Sequence, residues 1–223
     1  MRRTLKALVF DAYGTLFDVH SVISTCNQSF PGQGPALSQI WRSKQLEYTR
    51  LLSLMGRYKD FWRVTESALL FACKNLGLDC PPATRAKLME AYLHLEPYPE
   101  VRQALAALSS YRLAILSNGS PRMLRAAVAS AGLQRTFSHV ISVDSAKIFK
   151  PSPQVYRLGT QKLGVAKGAI GFVSSNNWDI AGAKAFGFRT FWVNRSKAGA
   201  DELGLIPDAT VNSLTDLAKL TKT

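Results

Sequence analysis

Reactive side chains stand directly after short apolar runs at several points in this chain. Asp11 and Thr15 follow LKALVF, and Ser117 and Asn118 follow LAIL. Lys150-Pro151 lies downstream of HVISV, and Ser174, Ser175, Asn176 and Asp179 follow IGFV. A carboxylate can serve as a covalent nucleophile, and a nearby lysine can hold it in place and temper its repulsion toward an anionic substrate. A second carboxylate can then handle the proton of a water molecule. Any one of these residues alone reads as a turn or helix-cap residue. Successive strand ends that all carry such types point instead to one shared site, because open parallel sheets bind ligands beyond the carboxyl ends of their strands.

The elements that must position them follow from periodicity. Leu5–Phe10 reads as a buried strand with a turn at Asp11–Thr15. From about residue 98 strands and helices alternate. Pro99–Leu108 is a helix, 113–116 a strand and Pro121–Ala131 a helix stopped by Gly132. His139–Val143 is a strand, Pro153–Leu163 a helix ended by Gly164 and Ile170–Val173 a strand. Trp178–Phe186 is a helix stopped by Gly187, and Thr190–Val193 a strand. The pattern is an α/β fold, a doubly wound parallel sheet. Residues 18–97 give no strand signal. Leu37, Ile40, Trp41, Tyr48, Leu51, Leu52 and Met55 share a helical face broken by Lys44, and Asp60 can cap a helix through Phe61, Val64, Ala68 and Phe71. A third helix runs over Thr84–Leu95. The expected organisation is a core of 1–17 and 98–223 with a helical cap subdomain at 18–97.

Composition narrows the function. An apolar fraction of 47% over 223 residues suits a packed core without disulfides. Cys26, Cys73 and Cys80, like His20, His94 and His139, show no metal-ligand spacing, and Gly32-Gln33-Gly34 has neither a third glycine nor a preceding strand. No metal and no cofactor are expected. The net charge of +13 comes from scattered Lys and Arg without a nucleic-acid motif, so it reads as a solvated surface that also draws in small carboxylates. No run is long enough for a membrane span, and the basic start MRRTLKALVF has too short an apolar stretch for a signal peptide, so a cytoplasmic location is expected.

The motifs D-x-Y-G-T-L-F-D at 11–18, S-N-G at 117–119, K-P at 150–151 and S-S-N-x-W-D at 174–179 resemble the haloacid dehalogenase superfamily. The segment W-R-x-x-Q-L-E-Y at 41–48 is similar to its 2-haloacid dehalogenase branch, and the likeness extends to about Arg195. Two departures from the superfamily's phosphatases matter. Tyr13 stands where they carry a leaving-group acid, and Ser175 where they carry a magnesium-holding aspartate. Mg²⁺ favours carboxylate ligands in near-octahedral geometry, so Ser175 argues against it. A nucleophilic carboxylate without metal or leaving-group acid suits halide displacement, because halide departs without a proton.

The resemblance implies hydrolytic dehalogenation of (S)-2-haloalkanoic acids through an ester on Asp11, with Thr15 holding its carboxylate and Lys150 supplying positive charge. It implies that Ser117 holds the substrate carboxylate and that Arg42, Asn118 and Phe61 cradle the halide. From helical spacing alone Arg42 reads as an exposed surface arginine. Tyr13, Leu46 and Trp178 complete a dry alkyl pocket, or the aromatics pack as plain core, with Ala12 near it, while Tyr156 either orients Lys150 or packs the core. Asp179, with Ser174 and Asn176, serves the hydrolytic water or caps the next helix. Asp18 is a hinge or cap residue. A homodimer built partly through the cap is also implied. The alternatives are a magnesium-dependent phosphatase, a phosphonate hydrolase using a cap lysine (Lys44 or Lys59), and a basic non-enzymatic binding protein.

Overall fold

A computed structural model describes residues 4–221. Six parallel strands form one sheet in the order β3-β2-β1-β4-β5-β6. They are β1 (Ala7–Phe10), β2 (Arg112–Ser117), β3 (His139–Ser142), β4 (Ile170–Ser174), β5 (Arg189–Val193) and β6 (Ala209–Val211). All four residues of β1 are buried, as expected of a central strand covered on both faces. The chain winds outward from β1 to β3 and then crosses back to β4 on the other side of β1. Strand order therefore reverses at the β1–β4 boundary, where such sheets open a crevice. Phe10 pairs with Ile115 on one side and Val173 on the other, and the Asp11 amide donates to the Val173 carbonyl at 2.9 Å. Asp11 thus emerges at the crevice.

Five helices lie between β1 and β2, of which the first four fall within residues 18–97: α1 (Ile23–Ser29), α2 (Gly34–Leu54), α3 (Phe61–Asn75) and α4 (Pro82–Ala91). The chain leaves and re-enters the sheet region side by side. The Asp18 amide donates to the Glu96 carbonyl at 2.8 Å, and the Tyr98 amide to the Leu16 carbonyl at 3.0 Å. Asp60 caps α3 by accepting from the Trp62 and Arg63 amides, an arrangement worth about 1 kcal/mol. The remaining helices are α5 (Val101–Ala107), α6 (Pro121–Ser130), α7 (Pro153–Leu163), α8 (Asn177–Phe186) and α9 (Leu214–Leu220). Contacts of α5 with α9 and of α7 with α8 fit right-handed crossovers on opposite faces of the sheet.

Several sequence expectations shift. The buried stripe of α2 is Leu37, Ser38, Trp41, Gln45 and Thr49, turned from the apolar face predicted, and Leu51 and Met55 are exposed. Hydrogen bonds satisfy the buried polar members, so a purely apolar count misplaces the face. The third cap helix starts and stops earlier than Thr84–Leu95, and β3 ends at Ser142 with a 3-10 turn over Val143–Ser145. Helix α1, strand β6 and helix α9 were not expected. Helix α1 buries Cys26 alone, and β6 has three residues, too few for either to show a period.

Candidate active site

The turn after β1 is built for close approach. Gly14 has φ +88°, a conformation costly for a side chain, and its amide donates to the Phe17 carbonyl at 2.7 Å. The tight turn brings Thr15 Oγ1 within 3.0 Å of Asp11 Oδ2, where it donates, and Thr15 Oγ1 itself accepts from the Ser175 amide at 2.9 Å. Asn176 Nδ2 donates to the same Asp11 oxygen at 2.9 Å and to the Tyr13 carbonyl at 3.2 Å. Asp11 Oδ1 receives the Lys150 ammonium at 3.1 Å, and Lys150 donates also to Asp179 Oδ2 at 2.8 Å. With two donors on Oδ2 and one on Oδ1, the less encumbered lone pair belongs to Oδ1.

Lys150 is 1% exposed and Asp179 0%, so this triad sits in low dielectric. Burial pulls the Lys150 pKa down, but the two carboxylates outweigh it and the ammonium is held charged, above its ordinary value. Burial raises Asp179 to about 6, with Lys150 opposing and the Asp11 charge assisting. Tyr156 donates to Asp179 Oδ1 at 2.8 Å and lies within 3.2 Å of its main-chain carbonyl. It therefore touches Lys150's partner and not Lys150 directly, and its ring packs in the core against Phe172, Phe186 and Phe188, the second of the two sequence readings. Gly182 on α8 makes room for this hydroxyl, since a Cβ there would collide with Tyr156 Oη and lie 2.6 Å from Pro151 Cβ. The reading of Asp179 as a helix cap is corrected. Asn176 occupies the N-cap, while Asp179 lies in the first turn with both oxygens turned to Lys150 and Tyr156. Asn176 attends Asp11 rather than Asp179, and Ser174 Oγ accepts the Asn176 amide at 3.1 Å.

Arg42 is half-buried, not an exposed surface arginine. Its NH1 donates to Gln45 Oε1 at 2.8 Å and its NH2 to the Tyr13 carbonyl at 3.0 Å. Asn118 Oδ1 accepts the Lys150 amide at 3.0 Å, which ties the β2 end to the lysine. Ser117 Oγ accepts the Gly119 amide at 3.1 Å and keeps its own proton to give. The Tyr13 ring lies 5.6 Å from Phe61 and 6.0 Å from Tyr92, and Ala12 is fully buried beside it. A cleft of about 450 Å³ is lined by Gly14, Leu46, Asn176, Trp178 and Arg195, so Leu46 and Trp178 share a wall with residues of the Asp11 turn and its partner Asn176, though Asp11 itself does not line it. A larger cleft of about 940 Å³ lies beyond Trp178, between Arg50 and the 201–205 loop, and touches neither Asp11 nor Lys150.

Two residues close to this site escaped the sequence reading. Arg195 donates to Ser175 Oγ at 2.8 Å, the Thr15 carbonyl at 3.0 Å and Glu100 at 2.9 Å, bracing the turn that holds Asp11. Gln45 braces Arg42. Their only sequence signals were membership of the R-x-x-Q segment and a position at the end of the matched region. Ser175, at the place where a magnesium-binding carboxylate would stand, thus faces a guanidinium, which does not fit a divalent cation. Among the described residues no group of three His, Cys, Asp or Glu could hold a metal. No helix among them is long and apolar enough to cross a membrane.

A turn carrying a carboxylate paired with a buried ammonium, at the switch point of a parallel sheet with a helical insert beside it, defines a class. The chain belongs to the haloacid dehalogenase-like hydrolase family, whose model matches residues 5–187. It is 50% identical over 221 residues to the (S)-2-haloacid dehalogenase of Pseudomonas sp. strain YL, covering 98% of this chain and 95% of that protein. Haloacetate dehalogenase H-2 of Moraxella sp. strain B is 48% identical, with 94% of each chain covered. Among solved structures, the Xanthobacter autotrophicus L-2-haloacid dehalogenase with chloropropionic acid covalently bound superposes with TM-score 0.94. Its sequence identity is 43%, covering 98% of this chain and 99% of that one.

Proposed function

We propose that this chain hydrolyses (S)-2-haloalkanoic acids to (R)-2-hydroxyalkanoic acids and halide, with Asp11 as nucleophile. One observation carries the reading. Asp11 is bonded to a buried ammonium, while Tyr13, and not a second carboxylate, stands two residues on. An Asp11 oxygen, Oδ1 by its freer lone pair, attacks C2 from behind the carbon–halogen bond. The bonding pair leaves with the halide and C2 inverts. Arg42 and Asn118 receive the halide against Phe61. Ser117 holds the substrate carboxylate, and Ala12, Tyr13, Leu46 and Trp178 surround the alkyl group. Water then adds to the Asp11 carboxyl carbon, passing its proton toward Asp179. The Cγ–O bond to the product breaks, the product alkoxide takes up a proton, and one water oxygen stays on Asp11. Thr15 and Asn176 hold Asp11 in place, Ser174 supports Asn176, and Tyr156 fixes Asp179.

The guanidinium facing Ser175 supports a metal-independent reaction. Residues 18–97 serve as a cap over the crevice, a role supported by the paired strand-like segments at Leu16–Asp18 and Glu96–Tyr98 that close its base. Exposed Leu51, Leu54 and Met55 at the end of α2 offer an apolar face to a second copy, in keeping with a homodimer. Three free cysteines accord with a reducing, cytoplasmic setting. The test is halide release from (S)- and (R)-2-chloropropionate, 2-bromopropionate, chloroacetate and fluoroacetate. An aryl phosphate with Mg²⁺ serves as the control. Halide from the S and not the R halopropionates supports the reading, with the achiral haloacetates reporting substrate range, whereas phosphate release without halide overturns it.

A further inference from the structure

We infer that Gln45 is a positioning residue that orients the Arg42 guanidinium for the departing halide, through a one-way hydrogen-bond chain inside the helical insert. This rests on the haloacid reading above. A fully buried amide on a core-facing helix position is costly unless every polar atom is paired. Gln45 is paired at both ends. Its Nε2 donates to Thr65 Oγ1 at 2.7 Å, and its Oε1 accepts from Arg42 NH1 at 2.8 Å and from the Tyr92 hydroxyl at 3.0 Å.

The direction of this chain is fixed by proton counting. Thr65 Oγ1 donates its single proton to the Phe61 carbonyl at 2.7 Å, so toward Gln45 it can only accept. The amide nitrogen must therefore face Thr65 and the amide oxygen must face Arg42. A flipped amide would set its N–H groups against the guanidinium and the tyrosine hydroxyl. Burial holds the Tyr92 phenol above its ordinary pKa, so it remains a donor. Trp41 Nε1, donating to the Thr65 carbonyl at 2.8 Å, pins the same turn of α3 to α2.

The second bond of Arg42 goes to the Tyr13 carbonyl, in the turn that carries Asp11. The guanidinium plane is thus set between the insert and the nucleophile's own turn before any substrate arrives. Arg carries about 2 kcal/mol of rotamer entropy, and donors fixed in advance need no reorganisation when charge develops on the halogen. The neutrality of Gln45 matters as much as its reach. An amide orients the guanidinium and leaves its charge for the halide, whereas a carboxylate at this position would claim that charge.

The variants Gln45→Glu and Gln45→Met separate the two effects, and Thr65→Val frees the amide without touching Arg42's partner. Single-turnover alkylation is measured with (S)-2-chloropropionate and (S)-2-bromopropionate, and hydrolysis of the Asp11 ester is timed separately. Losing a charge-assisted bond corresponds to about ten- to hundred-fold in rate. The expected result for Gln45→Met, which loses the bond, is a loss in that range for chloride, a severalfold smaller loss for bromide, and unchanged ester hydrolysis. Gln45→Glu keeps the bond but claims the guanidinium's charge, and should show the same chloride-selective loss. Thr65→Val gives the same pattern at smaller size and carries the test if the Gln45 variants do not fold. Equal losses on both halides and on hydrolysis would mean general loosening and would overturn the inference, as would wild-type alkylation. A wild-type protein that releases no halide at all would overturn the haloacid reading itself, and this inference with it.

Discussion

Asp179→Asn should separate displacement of halide from hydrolysis of the ester. Asp179 uses both oxygens as acceptors, from Lys150 at 2.8 Å and from Tyr156 at 2.8 Å. An asparagine has one acceptor and one donor end. Lys150 has no lone pair to offer, so the amide oxygen must stay on the lysine and the NH₂ must turn to Tyr156. The Tyr156 hydroxyl can accept there and aim its proton at the main-chain carbonyl of residue 179, already 3.2 Å away. The fold thus accommodates the change, and Lys150 keeps its bond to Asp11. Chemistry that needs only Asp11 and Lys150 should continue, giving a burst of one halide per site and a mass gain on the Asp11 peptide. Loss of a positioned base should slow ester decay by about 10²- to 10⁴-fold. The pH profile adds a second check. With Asp179 raised to about 6, its ionised form dominates about tenfold at pH 7 and is outnumbered about tenfold at pH 5. Esterification removes the Asp11 charge that helps raise Asp179, so in the ester its ionised form persists to lower pH. Wild-type ester decay should therefore slow from pH 7 to pH 5 by less than that tenfold, whereas the variant's residual decay should be flat across that range. Quench-flow halide measurement, peptide mass analysis and ester decay between these pH values provide the assay. A folded variant with neither burst nor adduct, or one with full turnover, would refute the division of labour.

Asp11→Asn should abolish halide release, and a single turnover of wild type in heavy-oxygen water should give product with unlabelled oxygen; label in that first product would mean direct attack by water. Exhaustive EDTA treatment should leave the rate of halide release unchanged, and a loss restored by Mg²⁺ would contradict the Ser175–Arg195 argument. Lys150→Met leaves two buried carboxylates without their shared ammonium, so stability should fall by about 3–5 kcal/mol, read as a lower urea midpoint at pH 7, with no detectable alkylation. Gly182→Ala should push Tyr156 off Asp179 at a cost of about 1–3 kcal/mol, slowing ester decay more than alkylation.

The sheet was legible because its information is local. Apolar runs of four to six residues, each followed by polar turn residues, mark β1, β2, β4 and β5, and glycines past α6, α7 and α8 mark their ends. Parallel alternation then leaves few topologies open. The same locality explains why Asp11, Thr15, Lys150, Asn176 and Asp179 could be placed on one edge before any coordinates. What failed was the orientation of α2. Its buried face carries Ser38, Gln45 and Thr49, which a hydropathy period assigns to solvent. That assignment holds only when a polar side chain has no partner inside, and the partner of Gln45 is Thr65 on another helix. Arg195 was hidden for a similar reason, since its acceptors Glu100 and Thr15 lie 95 and 180 residues away in sequence.

These long-range contacts also decide how the site handles charge. Asp11 and Asp179 place two negative charges around one ammonium, and a haloacid adds a third. Two like charges 4 Å apart repel by about 4 kcal/mol at an effective dielectric of 20, so Lys150 alone does not balance the loaded site. Arg42 supplies the second positive charge, held beside the Asp11 turn by its bonds to the Tyr13 carbonyl and to Gln45. The chain's net charge of +13 then acts at longer range, favouring the approach of a small carboxylate. Raised salt should therefore slow capture of substrate, read as kcat/KM, more than it slows the single-turnover chemical step, because screening reaches exposed charges and leaves buried pairs largely untouched. Equal salt dependence of both steps would show that the surface charge plays no part in delivering the substrate.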